Sequence, residues 1–348
     1  MGVSAPDLAV VGGGLVGRLL AWRAARAGMR VELYEAGGRL AEESAAWAAA
    51  GMIAPASEAL DASGEIVAMG RRSLALWPEW LKELPVPVYY RDSGTVVVWH
   101  GEGSGEGDSL EAAVRSYGGA VERVTKKRLI EKEPRVAPHF GEALYLPDEG
   151  QVDNREVLSA LALALEEAGV VCHWHMRISE EAMPEAGVVA DCRGMGAREA
   201  MAGLRGIRGE ILRLHAPGVE LRHMVRLIGG MQPIYLVPRA YGRLVVGATA
   251  YESEDWSPAS VGGVMRLLSA AVSVLPELAE ARILEFATQV RPAFADRQPV
   301  VRWDGPLLRM NGLYRHGFLI SPALVEEAIA MLLSRRESMT LWHGVQYP

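Results

Sequence analysis

Residues 7–35 read DLAVVGGGLVGRLLAWRAARAGMRVELYE, and this stretch decides the fold. A short apolar strand, Leu8–Val11, runs into the pattern G-x-G-x-x-G, which is formed by Gly12, Gly14 and Gly17. The first glycine allows a tight turn, the second lets the backbone approach a pyrophosphate, and the third lets the next helix pack closely on its strand. The stretch therefore predicts the strand–turn–helix unit that binds a dinucleotide.

The residues after the glycines continue the same unit. A helix is predicted to begin at Leu15, and its first N–H groups, those of Leu15 and Val16, point at the phosphates. Gly28 ends this helix, and a second strand leads to Glu35, 18 residues after Gly17. A carboxylate at that position accepts hydrogen bonds from a ribose hydroxyl. The alternative is a glycine-rich turn followed by a solvated surface acid.

The composition excludes several classes of protein. The chain has 348 residues, enough for two lobes, and 50% of them are hydrophobic. A net charge of −7 without a basic stripe argues against a nucleic-acid partner. The two cysteines, Cys172 and Cys192, provide no disulfide framework, so we expect a cytoplasmic protein. We expect no signal peptide before the first strand, and no apolar run of the roughly 20 residues that a membrane span needs.

Predicted helices and strands alternate at first and then give way to closely spaced strands. A discontinuous Rossmann-like nucleotide-binding domain is predicted from residues 1–75, 145–203 and 304–348. An inserted, mainly antiparallel β-sheet domain for the substrate is predicted from residues 76–144 and 204–303. The predicted fold class is therefore α/β, of the α+β kind.

Apolar spacing and turn residues predict individual elements. Helical periodicity indicates helices at 64–84, 154–168 and 261–275. The strands Tyr89–Tyr90 and Thr95–Trp99 are expected to pair as a hairpin around the turn between them. The last helix is expected to run from Pro322 to Arg335, with the proline near its first turn.

Two short segments each allow two interpretations. The alanine-rich stretch Glu42–Ile53 is either a plain helix or backbone that lies flat against a planar ligand. His173 and His175 share one face of a predicted strand, but a catalytic zinc usually needs three protein ligands and no third is nearby. We therefore predict no metal site.

The sequence resembles FAD-dependent amine oxidoreductases of the D-amino-acid oxidase family, most of all their glycine oxidase branch. The resemblance covers nearly the whole chain and rests on residues 8–35, 44–55, 235–249, and 291–300 with 312–322. The first stretch is shared by many flavin and NAD proteins, whereas the other three together are specific. The resemblance implies FAD as cofactor. The FAD is expected to be noncovalent, because no cysteine follows Cys192 where sarcosine-oxidase-like enzymes attach flavin.

The resemblance also implies which residues contact the flavin. The backbone from Ser44 to Met52 would run along the isoalloxazine, and residues 312–317 would wrap its pyrimidine end. Ile178 would present main-chain groups to the adenine, the alternative being a core strand residue. The N-terminus of the last helix would stabilise negative charge on the reduced flavin. The complete set is Gly12, Gly14, Leu15, Val16, Gly17, Glu35, Ser44, Ala49, Ala50, Gly51, Met52, Ile178, Gly194, Gly312, Leu313, Tyr314, Arg315, His316, Gly317 and Phe318.

For the substrate, the resemblance implies that Arg291 binds an amino-acid carboxylate, with the Tyr235 hydroxyl as a second donor and Arg315 close by. A carboxylate favours a planar, bidentate cation. Holding a small substrate at both ends sets the geometry for hydride transfer from its α-carbon to flavin N5. The alternatives are a surface arginine for Arg291, a packing aromatic for Tyr235, and a salt bridge within the fold for Arg315.

Three positions depart from the glycine oxidase pattern. Pro233 and Leu313 stand where many relatives have a histidine, and Ala250 stands where glycine oxidases have a methionine. The smaller side chain of Ala250 predicts a pocket for a substrate larger than glycine, unless Tyr251 or Met231 refills the space. Glycine itself is therefore in doubt as the substrate.

The predicted function is FAD-dependent oxidative deamination of a small amino acid or an N-alkyl glycine. The product would be an imine, with hydrogen peroxide if oxygen is the electron acceptor. The alternative is a flavin subunit or dehydrogenase that passes electrons to a partner protein, which an exposed apolar patch beside the flavin would favour. Self-association into a homo-oligomer is left open.

Overall fold

The computed structural model describes residues 5–101, 105–230 and 232–343. Its α-helices are α1 (Leu15–Arg26), α2 (Gly64–Lys82), α3 (Glu106–Ser116), α4 (Lys126–Lys132), α5 (Asn154–Glu167), α6 (Val261–Val274) and α7 (Gly317–His343). Its strands are β1 (Leu8–Val11), β2 (Val31–Tyr34), β3 (Met52–Ile53), β4 (Tyr90–Arg91), β5 (Thr95–Trp99), β6 (Glu122–Thr125), β7 (Glu142–Leu146), β8 (Gly150–Val152), β9 (Val171–His173), β10 (Val188–Asp191), β11 (Arg205–His215), β12 (Met224–Ile228), β13 (Ile234–Arg239), β14 (Arg243–Gly247), β15 (Tyr251–Glu252), β16 (Arg282–Ala293), β17 (Val300–Asp304) and β18 (Leu307–Asn311).

A six-stranded sheet carries the glycine turn. Its strand order is β17-β18-β10-β1-β2-β9, with β1 paired in parallel to β2 and β10. The edge pair β17–β18 is antiparallel. The helix α1 connects the parallel neighbours β1 and β2, which is the βαβ unit expected from residues 7–35. This sheet confirms the Rossmann-like part of the predicted fold class.

A second, larger sheet provides the mainly antiparallel part of the fold. Its order is β15-β11-β14-β13-β12-β5-β7-β6, and β16 pairs with β11. The pair β5–β12 is parallel, whereas the other pairs are antiparallel. Sequence reasoning missed β16, because its first half exposes the apolar side chains of Ile283, Leu284 and Phe286. These exposed side chains remove the alternation that marks a half-buried strand.

The predicted hairpin between residues 89–90 and 95–99 is wrong. The strand β4 pairs with β8 in a small sheet of order β3-β8-β4, whereas β5 pairs with β12 and β7 in the large sheet. The turn between them redirects the chain from one sheet to the other. Gly94 has φ +81°, and its N–H donates to the carbonyl of Glu149 at 3.0 Å. A long-range partner therefore decided the direction of the chain.

The predicted helices at 64–84, 154–168 and 261–275 are present as α2, α5 and α6, and each ends within two residues of its predicted end. The core around β1 includes Trp77 and Trp80 of α2, which lie beyond the predicted domain boundary at residue 75. The strand β17 likewise belongs to the first sheet, although it starts at Val300. The two-domain division with its bounds stays a prediction.

Helix α7 begins at Gly317, five residues before the predicted start at Pro322. Because Pro322 has no N–H, the carbonyl of Phe318 has no partner within the helix. The indole N–H of Trp77 on α2 donates to this carbonyl at 2.8 Å. A hydrogen bond between helices replaces the missing one within the helix, and the proline is tolerated in the helix interior.

By length and composition, residues Gly317–Arg336 of α7 would pass for a membrane span, with a mean hydropathy of 1.5. This finding is contrary to the expectation that no apolar run approaches that length. However, 56% of this window is buried inside the protein, and Ile320, Val325 and Ala328 lie in the core around β1. In this structure α7 packs as a core helix.

Replacing Trp77 with Phe should destabilise the fold through the lost indole N–H. The buried carbonyl of Phe318 would be left unpaired, which costs about 1–3 kcal/mol beyond the lost volume. Trp80→Phe is the matched control, since Trp80 is also buried on α2 and loses the same volume. We expect the free energy of unfolding in urea to fall by about 1–3 kcal/mol more for Trp77→Phe than for the control. Equal losses would show that this hydrogen bond does not support α7.

Candidate active site

A cavity of about 1500 Å³ lies where the carboxyl ends of β1, β2 and β10 face the second sheet. The residues that follow these three strands line one side of it, among them Gly12, Glu35 and Cys192. The second sheet contributes Tyr235 and Arg291 to the other side. In open parallel sheets, ligands bind beyond the carboxyl ends of the strands. The cavity therefore combines the edge expected for a nucleotide with a wall that can recognise a second molecule.

The glycine turn leaves room for an anion at the start of α1. Gly12 has φ +104°, and a Cβ there would lie 2.5 Å from the carbonyl oxygen of Cys192. A Cβ on Gly17 would overlap the carbonyl oxygen of Gly12, so this glycine lets α1 pack directly on β1. No side chain caps α1, whose first N–H groups have no partner within the helix. Since Leu15 and Val16 line the cavity, these N–H groups are available to an anion.

The Glu35 carboxylate lies beside this turn, at the end of β2. One of its oxygens accepts a hydrogen bond from the N–H of Gly13, and the other accepts one from the N–H of Gly37 at 2.6 Å. A carboxylate has about four acceptor sites, so two remain for a ligand. The position suits recognition of a hydroxyl next to a bound anion.

A buried arginine that sequence reasoning did not single out supports the turn from behind. Arg18 donates to the carbonyl of Gly13 at 2.6 Å, and to the carbonyls of Leu158 and Arg39 at 2.9 Å each. Its guanidinium lies 5.0 Å from the ring centre of Trp174. Burial lowers the pKa of Arg18 to about 10, which still leaves it charged at neutral pH. Arg18 thus fixes the turn with a full positive charge.

The alanine-rich segment 44–53 forms turns followed by β3, so the plain-helix interpretation is wrong. The side-chain amide of Asn154 donates to the carbonyls of Ala46 and Trp47 at 2.9 and 2.8 Å. These bonds hold the backbone in its non-helical path. Gly51 has φ +61°, and any Cβ there would overlap the carbonyl oxygen of Val152. The segment consequently passes along the cavity as a series of turns, and most of the side chains that it places in the lining are small.

Two glycines in the strands make room for the donors at the other end of the cavity. The guanidinium of Arg291 lies over Gly209 of β11, and the ring of Tyr235 lies over Gly247 of β14. Arg291 donates to the carbonyl of Thr249 at 3.2 Å. Among the described residues, Arg291 forms no salt bridge. Burial raises the pKa of Tyr235, although the charge of Arg291 opposes this, so the phenol stays a neutral donor.

Arg315 also lies in the cavity wall, and two of its three nitrogens contact acidic side chains. Its Nε donates to one oxygen of Glu58 at 2.8 Å, and its Nη2 donates to the other at 2.9 Å. Arg226 Nη1 and His316 Nε2 approach the same carboxylate at 3.2 and 3.1 Å. Burial alone would raise the pKa of Glu58, but Arg315, His316 and Arg226 together hold that pKa well below its usual value. Glu58 is therefore ionised and central to a charged cluster.

Ionic contacts also hold the wall near Ile178 and Gly194. Arg193 pairs with Asp191 at 2.8 Å, and its Nη1 donates to the carbonyl of Ile178 at 3.1 Å. The carbonyl of Gly194 accepts from the side chain of Asn311 at 2.9 Å. Ile178 lies outside the strands, partly buried against the side chains of β1 and β10.

Most of the residues predicted from the sequence converge on this one cavity. Those that line it are Gly12, Gly14, Leu15, Val16, Glu35, Ser44, Ala49, Ala50, Gly51, Met52, Ile178, Gly194, Tyr235, Arg291, Leu313, Tyr314, Arg315, His316, Gly317 and Phe318. Gly17 and Gly312 do not line it: Gly17 faces Gly12, and a Cβ on Gly312 would overlap the ring of Phe294. Sequence reasoning missed Glu58 and Arg226, since no local spacing signals a pairing across the fold.

The whole chain is similar to known flavoproteins. Residues 7–331 match the DAO family, described as FAD dependent oxidoreductase. A Rhizobium etli protein named as a thiamine biosynthesis oxidoreductase, ThiO, is 36% identical over 331 residues, which cover 94% of this chain and 96% of the relative. The glycine oxidase of Geobacillus kaustophilus is 30% identical over 363 residues, covering 95% and 94%. Its crystal structure superposes with a TM-score of 0.84 at 28% identity and covers 95% of both chains.

These matches extend over the glycine turn, the alanine-rich segment and the wall that carries Arg291. They agree with the resemblance stated from the sequence, and with FAD as the cofactor. This chain belongs to the DAO family of FAD-dependent oxidoreductases.

Proposed function

We propose that this enzyme oxidises the α-amine of a small amino acid or an N-alkyl glycine to an imine. The observation that carries the proposal is the guanidinium of Arg291, which faces the cavity without a salt bridge among the described residues and shares it with the Tyr235 hydroxyl. A carboxylate matches the planar fork of a guanidinium. One relative is named a glycine oxidase, and glycine is the smallest amino acid of this class.

The cavity, of about 1500 Å³, is large enough for FAD, and we propose that the cofactor is bound there noncovalently. Gly14, Leu15 and Val16 would hold the pyrophosphate, Glu35 a ribose, and the segment 44–52 the flavin ring. Cys192 lines the cavity, but burial raises the pKa of its thiol far above neutral pH, so it is not a reactive thiolate.

When bound, FAD accepts the two electrons and the hydrogen that leave the substrate α-carbon. Arg291 and Tyr235 would hold the substrate carboxylate, Arg291 with its charged fork and Tyr235 with its neutral hydroxyl. Fixing the carboxylate leaves the α-carbon few orientations, which is how positioning lowers a barrier. The protein therefore contributes to the reaction by orienting the substrate and by excluding other orientations of it.

We propose that the substrate end of the cavity accepts a molecule larger than glycine. Ala250 contributes only a methyl group to the lining. The hydroxyl of Tyr251 is hydrogen bonded to Arg266 of α6, which directs that end of the side chain towards the helix. Met231, the other candidate to fill the space, lies outside the described residues. We therefore propose an N-alkyl glycine or a small amino acid with a side chain.

We also propose oxygen as the electron acceptor and the cytoplasm as the location. Relatives named as oxidases support the first. The two free cysteines, Cys172 and Cys192, support the second, since oxidising compartments favour disulfides.

The function can be tested by mixing the FAD-loaded enzyme anaerobically with a panel of amino acids and N-alkyl glycines. We expect the flavin absorbance to bleach with at least one member, and to return when air is admitted. If the bleaching persists in air and reverses only with an added electron-carrier protein, the electron acceptor is a partner protein and not oxygen. A flavin that no member of the panel reduces would overturn the proposal.

Two substitutions test the cofactor site. Gly14→Val should abolish FAD binding, because the added side chain occupies space beside Ser44 that the pyrophosphate needs. Glu35→Ala should weaken FAD binding by about 1–3 kcal/mol through lost hydrogen bonds. Gly218→Ala is a control, because a Cβ there meets no atom within 4 Å. Fluorescence titration of the apoprotein with FAD measures all three, and unchanged affinity in the first two variants would contradict this site.

Arg291→Leu should leave FAD bound and strongly reduce kcat/KM for amino acids. The substrate carboxylate would lose its charged partner, which costs about 3–5 kcal/mol. Arg291→Lys should restore part of the activity, since a point charge replaces a fork. Tyr235→Phe should cost about 1–2 kcal/mol for one hydrogen bond. An amine substrate without a carboxylate serves as the control, and wild-type kcat/KM in Arg291→Leu would show that the carboxylate binds elsewhere.

A further inference from the structure

Three guanidinium groups face the part of the cavity around Tyr235. Arg291, Arg315 and Arg226 all lie close enough for their charges to lower the pKa of the Tyr235 hydroxyl, against the effect of burial. A carboxylate ligand could pair with any of them on charge alone. The number of carboxylates that the cavity accepts therefore depends on which of these cations already has a partner in the protein.

Glu58 pairs with two of the three cations. Its carboxylate and Arg315 meet as two parallel forks, with contacts at 2.8 and 2.9 Å. Arg226 approaches the same carboxylate at 3.2 Å and also donates to the carbonyl of Ser57 at 2.8 Å. With His316 at 3.1 Å, four nitrogen atoms of three side chains surround the two carboxylate oxygens. This number matches the acceptor capacity of a carboxylate, so Glu58 is saturated.

Arg291 is in a different state. Within the described part of the chain, Arg291 donates a hydrogen bond of 3.2 Å to the carbonyl of Thr249 and forms no ion pair. The side chain of Glu58 is 12% exposed and that of Arg315 is 32% exposed, so the carboxylate is the better shielded member of the pair. A ligand carboxylate that approached Arg315 would come close to Glu58 and would be repelled by it, because like charges at close range cost several kcal/mol.

We propose that Glu58 limits this enzyme to substrates with one carboxylate. It acts as an internal second carboxylate, which occupies Arg315 and Arg226 and leaves Arg291 as the cation for the ligand. An amine whose second carboxylate extends towards Arg315 is rejected. The inference rests on the proposed function and narrows its substrate class to monocarboxylic amines.

The test compares two ligands that lack an amine and so cannot be oxidised at nitrogen. Methoxyacetate has one carboxylate, and diglycolate is the same ether with a carboxylate at each end. Their dissociation constants are measured from the perturbation of the visible flavin spectrum in the FAD-loaded enzyme. The proteins are the wild type, Glu58→Gln, and the control Asp61→Asn. Asp61 also contacts Arg315, at 3.4 Å, but its side chain is 54% exposed.

In the wild type, we expect diglycolate to bind about tenfold or more weakly than methoxyacetate. Glu58→Gln keeps the size of the side chain but removes the charge that pairs with the two arginines. The affinity for diglycolate should therefore rise at least about tenfold relative to the affinity for methoxyacetate. Asp61→Asn should keep the wild-type ratio. As a second readout, kcat/KM for iminodiacetate relative to N-methylglycine should rise in Glu58→Gln and not in Asp61→Asn.

The possible negative results refute different parts of the proposal. If the wild type binds both ligands equally well, the role of Glu58 is refuted without any variant, even if Glu58→Gln does not fold. An unchanged ratio in a folded Glu58→Gln refutes it as well. If methoxyacetate does not perturb the flavin of the wild type at all, the carboxylate site at Arg291 is wrong, and the proposed function fails with it.

Discussion

The close approach of Gly17 to the carbonyl of Gly12 is the contact on which the rest of the structure depends. Because neither residue has a side chain, α1 starts directly above the end of β1 and covers the centre of the parallel sheet. Its other sides pack against α5 and α7. Arg18 then ties the first turns of the helix to the carbonyl of Gly13 and to two more distant segments. A helix held further out would lose this packing, and its N-terminus would no longer face the cavity.

Glycine residues also make room for other groups in the second sheet. Glycine inside a strand usually weakens it, because it packs nothing and has more freedom to lose on folding. Here Gly209 and Gly247 provide the space over which the side chains of Arg291 and Tyr235 lie. The large sheet tolerates these glycines, since β11 pairs with β16 along its whole length and with β14 over residues 211–215. Stability in the surrounding strands thus permits two long polar side chains to lie flat in the cavity.

The charges in the cavity are balanced unevenly. Arg315 and Arg226 are paired with Glu58 inside the protein, whereas Arg291 has a single carbonyl partner among the described residues. A buried cation without a counter-charge is costly, and an anionic ligand relieves that cost. Two of the three guanidinium groups therefore share one carboxylate of the protein, whereas Arg291 has none among the described residues.

The sequence by itself determined the parts of this protein that depend on near neighbours. The spacing of Gly12, Gly14 and Gly17 after an apolar strand predicted the nucleotide turn, and apolar periodicity predicted α2, α5 and α6. Specific stretches around Tyr235 and Arg291 predicted the family. These signals can be recognised in a single sequence, because they arise from backbone geometry or from residues a few positions apart.

Only the tertiary structure decided the rest. Alanine content favoured a helix near residue 46, but the side chain of Asn154, 108 positions away, holds that backbone in turns. Arg315 could have faced a ligand, and it instead pairs with Glu58, 257 positions away. Such pairings form only when distant segments meet, and their strength depends on burial and on competing partners. No local spacing encodes those quantities, which is why the folded chain was needed to show which arginines already pair with a carboxylate of the protein.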